Sequence, residues 1–293
     1  MSLGLQLRGI VLGVWVQFQQ IGGYWAIGLL AGSFINVYFS DKMIARISAF
    51  HKSRFSFFRA CVAAALGIAS PLCMYGTVPL IASLGRKKVP DYLLSTFMVS
   101  SILLNPNLLI MSFSLGIHAA ILRLFACFAG GLLAGGLTYV FLRKNPVFQL
   151  DRFVVSGKQK RRFLADLLRA TQVTLPYLLF GVLLTALYDR YFPRHWMDGL
   201  FGGNQAMSSL FAMSLAVPLY ACGGGSLPLL LVWMREGMSL GSAMTFMLAG
   251  PGAKFTNLGA VKSILGTRNF FLYLGYCLGY AWIFGMLTDW ALR

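Results

Sequence analysis

Two cysteines, Cys73 and Cys222, stand 149 residues apart, each in an apolar stretch broken by proline and glycine: PLCMYGTVP (71–79) and PLYACGGGSLP (218–228). Thiolates favour soft metals and metalloids, so a pair converging on one centre would bind such species. The plainer alternative is two small residues that fit close helix crossings. Amide and hydroxyl groups cluster beside further breaks. Asn105 and Asn107 flank Pro106, Thr256 and Asn257 follow Pro251 in AGPGAKFTN, Ser226 lies in the second glycine run, and Ser100 and Ser101 precede the Asn-Pro-Asn step. Lys254 stands in an otherwise apolar run. A cation at bilayer depth is costly, so it either lines a wet cavity, where it would hold an anion, or snorkels to the interface. Arg123 and Lys262 are weaker candidates of the same kind as Lys254, or with His118 simply mark membrane edges, and Arg86 and Arg235 read as caps of half-helix C-termini or interfacial groups.

These groups need interrupted helices to place them. Pro71, Gly76 and Pro79 break the first apolar stretch; Pro218, Gly225, Pro228 and Pro251 break its counterparts. A proline removes a backbone donor and glycine permits unusual backbone angles. The freed backbone groups find no partner in lipid, so a cavity, a partner helix or a substrate must satisfy them. Paired breaks at matching places in two halves point to a transporter's central site.

The chain has 293 residues, 58% hydrophobic and 11% charged, with a mean hydropathy of +0.71. A soluble domain cannot hide that much apolar surface. The runs 11–39, 55–85, 89–142, 170–192, 206–234, 238–266 and 269–292 are nearly free of charge, and their continuous rather than alternating character argues for helices. No cleavable signal peptide is expected. The net charge of +17 concentrates in 41–59 and 143–169, which the positive-inside bias places in the cytoplasm. Nucleic acid is not the expected partner. The five cysteines all lie in apolar segments, which is not a disulfide framework.

The sequence also repeats itself. At a shift of 149, Cys73, Gly76, Pro79, Arg86 and the triplet 96–98 meet Cys222, Gly225, Pro228, Arg235 and 245–247. At a shift of 150, Leu115-Gly116, Cys127, Gly135 and Thr138 meet Leu265-Gly266, Cys277, Gly285 and Thr288. The basic loop 41–59 has a charge-balanced counterpart at 189–204, so the halves are expected to be inverted. The expectation is an all-α polytopic membrane protein of about 8–10 helical segments, some discontinuous or re-entrant. Its parts are repeat 1 (1–146), a basic cytoplasmic linker (147–162, continuous with 143–146) and an inverted repeat 2 (163–293).

No carboxylate is expected mid-span, no nucleotide-binding motif is present, and His51, His118 and His195 lie far apart. Enzyme chemistry and cofactors are therefore not expected. With its PLCMYGTVP, PLYACGGGSLP and AGPGAKFTN segments, the chain resembles the ArsP-type (YraQ-like) predicted permeases over essentially its whole length. The resemblance implies an inner-membrane permease; some members are linked to export of trivalent organoarsenicals, others to metal efflux. Where many relatives carry a second cysteine, Tyr75 stands here and leaves Cys73 alone. The expectation is a secondary permease exporting a trivalent metalloid, organoarsenical or soft metal by alternating access, with Cys73 and Cys222 as candidate ligands. The alternatives are a permease for a small anion held by Lys254 and helix N-termini, and a membrane scaffold without transport. Homo-oligomers are compatible with the small-residue stretches, such as 130–136.

Overall fold

The computed structural model describes residues 56–70, 74–86, 89–142, 146–149, 205–220 and 237–292, together with Leu72 and isolated positions within 12–30, 167–179 and 230–234. The helices are α1 (Phe57–Ala69), α2 (Met74–Arg86), α3 (Asp91–Leu103), α4 (Pro106–Ser112), a 3-10 turn (Phe113–Leu115), α5 (Ile117–Phe141), α6 (Gln205–Leu219), α7 (Leu240–Ala253) and α8 (Phe255–Ala291). No strand occurs among the described residues.

Two of these helices, Ile117–Phe141 and Asn257–Ala291, are long and apolar enough to cross a membrane. The second is bent at Gly266, whose φ of 70° and ψ of 176° are not helical, so α8 consists of 255–265 and 267–291. The other helices in this list have at most 15 residues, short of the roughly 20 a full crossing needs. On α5, Ile121, Phe125, Leu133, Leu137 and Val140 are exposed; on α8, Phe271, Ile283, Leu287 and Trp290 are. Their small and polar neighbours face inward. That arrangement suits a lipid surround, because apolar stripes of this length in water would be an aggregation hazard.

The elements recur. In the first half, α3, the break at 104–105, α4 with its 3-10 turn, and Gly116 lead into the 25-residue α5. In the second, α7, Lys254, the segment 255–265 and Gly266 lead into the 25 residues 267–291. Gly116 and Gly266 both have positive φ, 108° and 70°, which a residue with a Cβ adopts only under strain. Each interrupted segment folds back antiparallel on the long helix that follows. Gly131 and Gly135 of α5 bring its backbone against Ser100, Thr96 and Tyr92 of α3, and Gly285 of α8 does the same against Thr245 and Gly241 of α7. In both halves the facing threonine turns its hydroxyl back on its own helix: Thr96 donates to the Tyr92 carbonyl at 2.8 Å and Thr245 to the Gly241 carbonyl at 3.0 Å. A threonine so occupied presents a satisfied surface to the glycine.

The long helices then meet each other. The Tyr276 hydroxyl donates to the Gly130 carbonyl, and Tyr280 donates to the Ala126 carbonyl at 2.6 Å. The rings of Tyr276 and Tyr280 stack with centroids 5.8 Å apart. Advancing along 267–291 means retreating along α5, so the two run antiparallel where they cross. A short strap, 146–149, ties the start of α3 to the bend of α8. The Val147 amide donates to Asp91 at 3.0 Å, the Asn269 amide donates to the Val147 carbonyl at 2.8 Å, and the Gln149 amide donates to the Ile264 carbonyl at 2.7 Å.

Candidate functional site

Three of the breaks fall among the described residues, and side chains meet part of the backbone groups they free. The first helix ends at Ala69 and the chain resumes helix at Met74. Gly76 and Pro79, expected to break the chain, instead lie inside α2. The non-helical Ser70 and Leu72 precede them, and a buried membrane helix tolerates one missing donor. Across this break Ser70 donates to the Gly67 carbonyl at 2.6 Å, its oxygen lies 3.3 Å from Ser101 Oγ, and Ser101 Oγ lies 2.9 Å from Thr77 Oγ1. Pro218 likewise falls within the last turn of α6, which ends before Tyr220.

At the second break Asn105 Oδ1 accepts the Leu108 amide at 2.9 Å, an N-cap that starts α4 with Pro106 in its first position. At the third, Pro251 lies inside α7 and the helix stops at Ala253. Having no N–H, Pro251 leaves the Met247 carbonyl, one turn back, without its helical donor. The terminal carbonyls are also orphans of the helix end. Asn257 donates to the Pro251 carbonyl at 2.7 Å and Tyr273 to the Gly252 carbonyl at 3.1 Å. The Lys254 amide closes on Gly250 at 3.0 Å. Asn105 and Asn257, expected to contact a substrate, thus spend polar capacity on holding the breaks open. Lys254 caps the start of α8 and is buried, 3% exposed.

The Met247 carbonyl receives its donor from another helix. Arg123 of α5, 0% exposed, donates from Nη2 to that carbonyl at 3.3 Å and to the Tyr220 hydroxyl at 3.3 Å. From Nη1 it donates to Ser112 Oγ at 2.7 Å and to Met247 Sδ at 3.7 Å. Its Nε has no hydrogen-bond partner. Tyr220 itself lies against Gly250, where any side chain would strike its ring. Of the two readings of Arg123, its complete burial fits the intramembrane cation rather than the edge marker; Lys262 and His118 are exposed. The sequence signal was present in its position seven residues after Gly116, inside the first long apolar helix.

Both described carboxylates are engaged elsewhere. Asp91 accepts the Val147 amide. Asp289 accepts the Gly241 amide and the Ser239 hydroxyl, each at 2.7 Å, which seats an anion at the N-terminus of α7. Between α3, α5 and 267–291 an apolar cavity of about 230 Å³ opens, lined among others by Ser95, Val99, Thr138, Leu265, Tyr273 and Tyr276. Cys73, Cys222, Ser226, Pro71, Gly225 and Pro228 lie outside the described residues. So do the side chains of Asn107 and Thr256, whose backbones fall in the first turns of α4 and α8. Among the described residues no group of three or more potential metal ligands occurs. Cys127 and Cys277, 150 residues apart, are both buried, on α5 and α8.

An interrupted, lipid-sheathed helical bundle with a polar centre is suited to moving a solute, and comparison with known sequences agrees. Residues 24–290 match the ArsP_1 family, described as predicted permeases. The chain belongs to this family. It is a membrane permease, a transporter by family rather than an enzyme. It is similar to a protein of Streptococcus mutans that carries the name of a two-component membrane permease complex subunit, with 25% identity over 86% of this chain and 88% of that one. The UPF0718 protein YcgR of Bacillus subtilis is 24% identical over 93% of each chain. A UPF0718 protein of Methanocaldococcus jannaschii is 23% identical over 52% of this chain, a match spanning 44% of the relative's length. No solved structure matches the permease.

Proposed function

We propose that the permease works by alternating access between two inverted halves and exports a small solute through the region where the interrupted hairpins meet. The observation that carries this reading is the crossing of α5 with 267–291. At the repeat shift of 150, Ala126 corresponds to Tyr276 and Gly130 to Tyr280. The contacts Tyr276–Gly130 and Tyr280–Ala126 therefore exchange with each other under the repeat. An antiparallel contact that is its own image is what a twofold axis in the membrane plane produces, and rocking of one half against the other is the motion such an axis favours. The cavity between α3, α5 and 267–291, lined in part by Tyr273 and Tyr276, supports a path toward that centre.

For the cargo, the first reading is a trivalent metalloid, organoarsenical or soft metal species met by Cys73 and Cys222. The permease would sit in the inner membrane with 143–162 on the cytoplasmic side. A second chain or copy as partner fits the name of the Streptococcus relative. A small anion is the second reading, favoured by the burial of Lys254 at its break. Single-cysteine variants keeping Cys73 or Cys222, labelled in sealed membranes with a charged thiol reagent, test the reading. Labelling is expected at both positions, from opposite sides as conditions change. Inert thiols from both sides would sink the central-pathway reading. Resistance to soft metalloids that survives both Cys73→Ser and Cys222→Ser would remove the thiols from the cargo site and leave the anion.

A further inference from the structure

Resting on the permease reading, we propose that Arg123 is the anion-recognition residue of its central site, and that the cargo is a small oxyanion or carboxylate whose charge the guanidinium holds during passage. A guanidinium stays protonated in any protein environment. Arg123 is wholly buried, where an uncompensated charge is among the most costly arrangements a membrane protein can hold. Among the described residues every hydrogen-bond partner it has is a neutral dipole: two hydroxyls, a carbonyl and a thioether. The Cys127 thiol adjoins it one turn along α5. The described carboxylates, Asp91 and Asp289, are bound to backbone amides elsewhere.

The lengths of the contacts say how tightly it is held. Charge-assisted bonds from a guanidinium settle at about 2.7–2.9 Å. Only the bond to Ser112, at 2.7 Å, falls there, while Tyr220 and Met247 stand at 3.3 Å or beyond. With Nε unpartnered, one edge of the fork is unfilled or weakly filled, and Nε with a neighbouring Nη is the geometry that grips a carboxylate or phosphate with two bonds. A clasp on the orphaned Met247 carbonyl explains one donor but supplies no counter-charge.

The partners also divide by half. Ser112 belongs with α4 and α5, whereas Tyr220 and Met247 come from the second half. Rocking the halves apart breaks the long contacts first and keeps the short one, so the fork is presented to the opening pathway still anchored by Ser112. The anion then replaces Tyr220 and Met247, and its departure restores them. Because Arg123 is sealed from the lipid face, the charge it meets arrives as a soluble anion rather than as a lipid headgroup.

Thermal unfolding of the purified full-length permease in detergent tests this, with inorganic phosphate, sulfate and benzoate as probes and chloride at matched ionic strength as reference. A saturable rise in the wild-type midpoint is expected with at least one probe. It should weaken in Arg123→Lys, which cannot grip with two bonds, and vanish in Arg123→Gln. Should Arg123→Gln fail to fold, Tyr220→Phe removes one competing partner and Ser112→Ala removes the anchor. Tyr220→Phe should lower the half-saturating concentration by about fivefold, the worth of one neutral hydrogen bond, and Ser112→Ala should raise it. No shift in the wild type, an equal shift in Arg123→Gln, unchanged half-saturation in both hydroxyl variants, or a response to phosphatidylglycerol alone would overturn the assignment. Binding is read without transport, so its failure leaves the permease reading standing.

Discussion

Replacing Gly135 or Gly285 with alanine probes the packing that both hairpins share. A Cβ on Gly135 would press on Thr96 Oγ1 and lie 2.9 Å from the Tyr92 carbonyl oxygen. On Gly285 it would press on Thr245 Oγ1 and lie 2.6 Å from the Gly241 carbonyl oxygen. A hydroxyl can rotate away at modest cost; a backbone carbonyl moves only with its helix. Overpacking of this kind costs about 1–3 kcal/mol, so Gly135→Ala belongs near the lower end and Gly285→Ala near the upper. The decisive measurement is rescue. Removing the nearest obstacle with Thr96→Ala should recover most of the Gly135→Ala loss, because the remaining contact is only slightly short. Thr245→Ala should recover less of the Gly285→Ala loss, since the Gly241 carbonyl still blocks the added carbon. Unfolding midpoints of the purified permease for both double-mutant cycles give two coupling energies. Equal rescue in the two halves, or none in the first, would refute the argument that the facing threonine and the carbonyl behind it set the approach of these helices.

The bends and caps give two further expectations. Gly266→Ala forces a side chain into positive φ and against Gln149, while Gly116→Ala meets the same backbone strain with nothing within 4 Å of its Cβ; both should lose about 1 kcal/mol or more, with Gly266→Ala the worse, and equal losses would mean that the strap does not press on the bend. Asn257→Leu withdraws the donor from the buried Pro251 carbonyl and should cost about 1–3 kcal/mol, read as a lower unfolding midpoint, whereas an unchanged midpoint would show that the end of α7 is capped by another group.

Much of the architecture was legible because it is written in local chemistry. Gly116 and Gly266 mark equivalent turns, since only glycine takes positive φ without strain, and both were visible as a matched pair. The break beside Pro251 was legible from its proline and glycines, and the structure ends α7 two residues later. Gly76 and Pro79 misled, because the same residue types sit in a helix when the chain has already left it at Ser70 and Leu72.

The sequence by itself determined that the chain is a set of interrupted membrane helices, because apolar run length, proline and glycine act within a segment. Tertiary structure alone decided which side chains reach the centre. In a bilayer the packed side of a helix is nearly as apolar as its outside, so α5 shows no polar face from which the direction of Arg123 is apparent. Nor does a sequence reveal that Asn105 and Asn257 are consumed as caps. That depends on which orphaned carbonyls and amides the fold brings within reach. The same holds for Arg123, whose burial among Ser112, Tyr220 and Met247 only the packed helices decide.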